Sequence, residues 1–88
     1  VSAPLRPIRV RLVRMPASAD GDFGCWREDI REIHVNADHP RWQQWVSYFH
    51  ETTHAALTDS GIDETLTEET REAICDAIAT FRYRERFG

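Results

Sequence analysis

The 88-residue sequence predicts an α+β fold: a small three-stranded sheet followed by two packed helices. Three observations carry this. Residues 6–14, RPIRVRLVR, alternate apolar and polar side chains, the two-residue period of a half-buried strand. After residue 40, apolar residues recur at three- and four-residue spacing, the period of an amphipathic helix. Gly61 then divides the C-terminal half into two such runs. The length fits one domain, residues 1–88, in which the Pro-rich residues 1–7 form a loose leader.

Each element follows in order. In the first strand Ile8, Val10 and Leu12 share one face, and Arg9, Arg11 and Val13 the other. Residues 15–24, MPASADGDFG, carry Pro16, a D-G pair and Gly24, and read as a loop. CWRED, 25–29, is a short candidate strand. Ile30, Ile33 and Val35 mark a third, in an antiparallel or mixed sheet. Pro40 suits the first position of a helix, where a missing N–H costs nothing. Trp42, Trp45, Val46, Phe49, Thr53, Ala56 and Leu57 give that helix a core-facing stripe, and Gly61 ends it. After the turn IDET, Thr65 or Thr67 can cap a second helix, with Glu68 and Glu69 in its first turn. Ala73, Ile74, Ala77, Ile78 and Phe81 are expected to be its buried stripe. A connection this short predicts antiparallel packing of the two helices.

Composition narrows the classes of function. With 41% hydrophobic and 30% charged residues the chain is globular rather than disordered. All eleven basic residues are arginine, yet the net charge is −4 and no basic stripe exists, so no nucleic-acid partner is expected. No apolar run is long enough to span a membrane, and VSAPLRPIRV lacks the layout of a signal peptide. Cys25 and Cys75 fit no metal-ribbon or C-x-x-C spacing and read as free thiols. A cytoplasmic location is therefore expected.

The chemistry concentrates in FHETTH, residues 49–54, which contains H-E-x-x-H as His50, Glu51 and His54. Four residues apart on a helix, two imidazoles share a face with Cβ atoms about 5–6 Å apart. They can converge on one ion at Zn–N distances of about 2.0–2.1 Å. Glu51 stands about 100° round the axis from His50, beside the metal rather than on it, where it can hold a water. A two-histidine zinc site needs a third protein ligand. The second helix offers Glu72, and four residues later Asp76, a carboxylate able to accept the free N–H of a ligating histidine.

HETTH followed by E-A-I-C-D on the next helix resembles the gluzincin metallopeptidases, including their minimal members, the minigluzincins. The order of strands, H-E-x-x-H helix and glutamate helix is also similar to the ImmA/IrrE-type peptidases. In those the glutamate commonly precedes an A-x-x-F-A run, whereas REAICDAIA has Ile78 at the aromatic position. The resemblance covers roughly residues 30–80. It implies a zinc-dependent peptidase in which a water on the metal, activated by Glu51 as general base, hydrolyses peptide bonds. His50, His54 and Glu72 would be the zinc ligands, and Asp76 would orient a ligating histidine. It also implies that Ile33, His34 and Val35 form the sheet edge that aligns an extended peptide or protein substrate by main-chain pairing.

Larger relatives add a His or Tyr donor for the oxyanion. Here His34 is the candidate, because Tyr48 points away from His50 and Tyr83 lies about 16 Å beyond Glu72 along its helix. Two other readings stay open. The same ligands could hold a zinc that stabilises a protein-interaction module too small to fold alone. The chain could also be a metal-free helical interaction domain.

Overall fold

A computed structural model describes residues 6–15 and 23–88 of the chain. It contains strands β1 (Arg9–Val13), β2 (Gly24–Arg27) and β3 (Glu32–Asn36), then helix α1 (Arg41–Ser60), a 3₁₀ turn (Ile62–Thr65) and helix α2 (Glu68–Phe87). The α+β architecture is the one the sequence predicts. The leader expected at residues 1–7 and the loop at 15–24 fall largely outside the described residues.

The sheet is mixed, in the order β1-β3-β2. β3 lies in the middle, parallel to β1 with Val10 opposite Ile33, and antiparallel to β2 with Trp26 opposite Ile33. Ile33 and Val35 are buried under α1, with 0% and 2% of their surface exposed. Ile30 is not part of β3: it sits in the turn from β2 and is exposed. The residue closing that turn, Arg31, has a left-handed backbone, φ 52°. Its side chain holds the position by a bidentate pair with Asp59 at 2.9 and 3.1 Å, and its Nε donates to the Arg6 carbonyl at 2.7 Å. The sheet is thereby tied to the end of α1. A second tie is the Trp26 indole N–H, which donates to the Thr58 hydroxyl at 3.2 Å.

Helix α1 starts one residue later than expected. Pro40 is its extended N-cap, and the Pro40 carbonyl accepts the first helical bond from the Gln44 N–H at 3.0 Å. It ends at Gly61, whose φ of 81° only glycine adopts without strain. Thr67 caps α2, accepting from the Thr70 N–H at 3.1 Å. Glu68 and Glu69 at its start and Arg84 and Arg86 at its end complement the helix dipole. Arg71 clamps the connection between the helices. It pairs with Asp63 at 2.7 Å and donates to the carbonyls of Asp63 and Leu66. This sets the rotation of α2 one residue before Glu72.

The structure forms three layers, with α1 between the sheet and α2. Alternation and periodicity overestimate burial at both outer layers. Val10 and Leu12 face the same side as Ile33 and Val35, but β1 lies at the sheet edge and both stay exposed. Because α2 packs on α1 and not on the sheet, only Cys75 and Ala79 of α2 are buried. Ala73, Ala77, Ile78 and Phe81, expected in the core, are exposed, and Ile74 is partly covered. Trp42 is likewise exposed, whereas Trp45 packs at 5.7 Å on Phe49 and 5.2 Å on Phe87.

Candidate metal centre

The middle of α1 turns His50 and His54 toward α2, and α2 returns Glu72 and Asp76 toward them. The Nε2 atoms of His50 and His54 lie 3.2 Å apart. Glu72 places Oε2 3.0 Å from the first and Oε1 3.0 Å from the second. The ligand–ligand edge of a tetrahedron with bonds of about 2.0–2.1 Å is about 3.3–3.4 Å. The three side chains are therefore already spaced to surround one ion.

The protons support the same conclusion. Asp76 Oδ1 lies 2.9 Å from His50 Nδ1, and an ionised carboxylate only accepts. Asp76 can thus hold the Nδ1–H of His50, which leaves Nε2 directed at the Glu72 carboxylate. Burial, the largest influence on His54, pushes its pKa down and favours the neutral ring. Acceptors crowded this closely repel each other unless a cation or a proton lies among them. The donor set of two imidazole nitrogens and one carboxylate fits zinc.

Glu51 lies on the buried side, 8% exposed, with Oε2 3.9 Å from His50 Nε2. Its carboxylate accepts a hydrogen bond from the Trp26 backbone N–H. Burial raises its pKa to about 7, with the Glu72 charge adding to the rise and His50 and the Trp26 bond opposing it. A cation at the histidines favours the ionised form and works against that rise. Cys75 also approaches, its sulfur within 4.8 Å of nitrogens of both histidines. Burial, reinforced by the surrounding carboxylates, pushes its pKa up to about 12. Glu72, with an oxygen 3.0 Å from each imidazole Nε2, is the candidate third ligand.

A cleft of about 550 Å³ opens over these groups, between β2 and the two helices. His50, Glu51, His54, Glu72 and Asp76 all line it, so the structure gathers every residue singled out for the metal chemistry. The expected substrate edge is different. Ile33, His34 and Val35 belong to the central strand, and their backbone is already paired to β1 and β2. Ile33 and Val35 are buried, and His34 bonds to Glu32 at 3.0 Å without lining the cleft. His34 is therefore neither an edge residue nor placed as an oxyanion donor. The outer strand beside the cleft is β2. The Phe23 carbonyl bonds to Asn36 across the sheet at 3.2 Å, so by alternation Gly24 and Trp26 aim their backbone groups outward.

Sequence reading missed β2 as the cleft wall, although glycine inside a strand signals a close approach. A Cβ on Gly24 would lie 2.7 Å from the His34 carbonyl oxygen and 3.5 Å from Glu51 Cγ. Gly24→Ala is expected to destabilise the fold by about 1–3 kcal/mol, as overpacking does. Chemical denaturation of variant and wild type measures this; equal midpoints would show that β2 shifts without cost.

The fold and the site define an α+β domain in which two histidines and one carboxylate form a candidate cation site beside a buried glutamate. The chain belongs to the peptidase M78 family, the IrrE N-terminal-like domain, whose model matches residues 6–82. Neither the curated proteins nor the solved structures contain a match. Among the described residues no helix is long and apolar enough to cross a membrane.

Proposed function

We propose that this chain is a zinc-dependent peptidase acting on peptide or protein substrates in the cytoplasm, with no nucleic-acid partner. The observation that carries the reading is the convergence of His50, His54 and Glu72 at 3.0–3.2 Å beside a buried carboxylate. His50, His54 and Glu72 hold the ion, and Asp76 fixes the ring of His50. When bound, the zinc supplies a Lewis acid that polarises the scissile carbonyl and makes a nearby water acidic. Glu51 takes the proton from the attacking water and passes it to the leaving amine. The Trp26 N–H holds the Glu51 carboxylate in place for both transfers. An extended peptide docks along the outward edge of β2, the strand that flanks the cleft, pairing with the Gly24 backbone and the Trp26 carbonyl, since the Trp26 N–H is engaged by Glu51.

The zinc-loaded chain is expected to cut a varied peptide library, with new termini read by mass spectrometry and lost on adding a chelator. One observation favours a second reading. Among the described residues lining the cleft there is no tyrosine, arginine or third histidine to stabilise an oxyanion. A library left intact by zinc-loaded protein would therefore replace the peptidase with a zinc-stabilised interaction module.

A further inference from the structure

The outward face of α2 has a pattern that the metal centre does not use. At 100° per residue, Glu69, Ala73, Ala77, Thr80, Phe81 and Arg84 fall within a strip about 120° wide. All six are exposed, with Phe81 at 65%, and no ion pair engages Glu69 or Arg84 among the described residues. Along the strip an acidic end leads through two alanines, Thr80 and Phe81 to a basic end. Reflected about Ala77, Phe81 falls on Ala73 and the two ends carry opposite charge.

We propose that this face packs against the same face of a second copy of the chain, with α2 antiparallel to its mate. With a two-fold axis at Ala77, Phe81 of each copy lies over Ala73 of the other. The space an alanine leaves is filled by the ring opposite it, and this happens twice because a two-fold interface repeats every contact. Near each end Arg84 comes within reach of Glu69 of the mate, since the two positions are offset from perfect opposition by one residue, about 1.5 Å. Alanine on the axis allows the helices to approach closely, near the short end of the 8–10 Å range of packed helices. A parallel arrangement instead sets Glu69 against Glu69 and Arg84 against Arg84. The charges therefore select the antiparallel pair over the parallel one.

One pair of 20-residue helices buries less than a standard interface of about 1,200–2,000 Å², so the dimer is weak and concentration-dependent. This surface lies away from the cleft, and the inference stands whether or not the chain cleaves peptides.

Sedimentation velocity across a wide concentration range tests it. The mass is expected to rise from that of the 10.2 kDa chain toward twice that value. Phe81→Glu is expected to remain monomeric throughout, with unchanged circular dichroism and unchanged zinc content. Glu69→Arg and Arg84→Glu are each expected to weaken association at least tenfold, and the double variant E69R/R84E to recover it. A wild-type chain that stays monomeric at millimolar concentration overturns the proposal and leaves the face to a different polypeptide. A dimer indifferent to Phe81→Glu, or charge reversals that do not rescue one another, also overturns it.

Discussion

Replacing Glu72 by alanine is expected to weaken zinc binding by more than about 100-fold. Changes to the groups that merely orient metal ligands already cost about 10–100-fold, and Glu72 is placed to touch the ion itself. Both of its oxygens lie 3.0 Å from a histidine nitrogen, so its loss removes one ligand and the negative charge that offsets the cation. The fold is expected to survive, because the Glu72 side chain is about half exposed and carries no core packing. Asp76→Ala, in the same competition titration against a chelator of known affinity, is expected to fall in the 10–100-fold range. It leaves all three ligands but frees the His50 ring. Equal affinity for wild type and Glu72→Ala would remove Glu72 from the ligand set and bring Cys75, which also lies near both imidazoles, into its place.

Replacing Glu51 by glutamine is expected to leave zinc in place and reduce peptide hydrolysis by about 10²–10⁴-fold, the range a general acid–base group supplies. Glutamine has the same shape, and its carbonyl can still accept the Trp26 N–H. It also relieves the burial that pushes the Glu51 pKa upward, so no loss of stability is expected. What glutamine lacks is a site that accepts a proton. Steady-state kinetics on a cleaved peptide, paired with zinc analysis of the same preparation, separates the two effects. Full activity in the variant would exclude Glu51 as the base, whereas loss of zinc along with activity would assign it to the metal site.

The grouping of the candidate metal residues was legible in the sequence because it depends on helical spacing, which is local. His50 and His54 four residues apart, and Glu72 and Asp76 likewise, had to share faces once the two runs were helical. The partner faces were less legible. Ala73, Ala77, Ile78 and Phe81 have the periodicity of a core stripe, and nothing local shows that α2 has only α1 to pack against. Glu72 and Asp76 still face the histidines because they border the narrow Cys75–Ala79 contact on the side facing the cleft. Strand order was hidden for a similar reason. The alternation in β1 and β3 gives faces but not neighbours, so the sequence could not show that β3 would be enclosed by β1 and β2. That one fact moves the substrate edge from Ile33–Val35 to β2. Gly24 marked β2 only as a turn residue until the close approach of the His34 carbonyl and Glu51 gave it a reason.

The proposed function requires His50, His54 and Glu72 to bind one divalent ion. The most direct measurement is elemental analysis of the chain after exposure to zinc and removal of the excess by gel filtration. One zinc per chain is expected, lost when both histidines are replaced by alanine. A folded chain that emerges without zinc, or that keeps its zinc in the double-alanine variant, contradicts it.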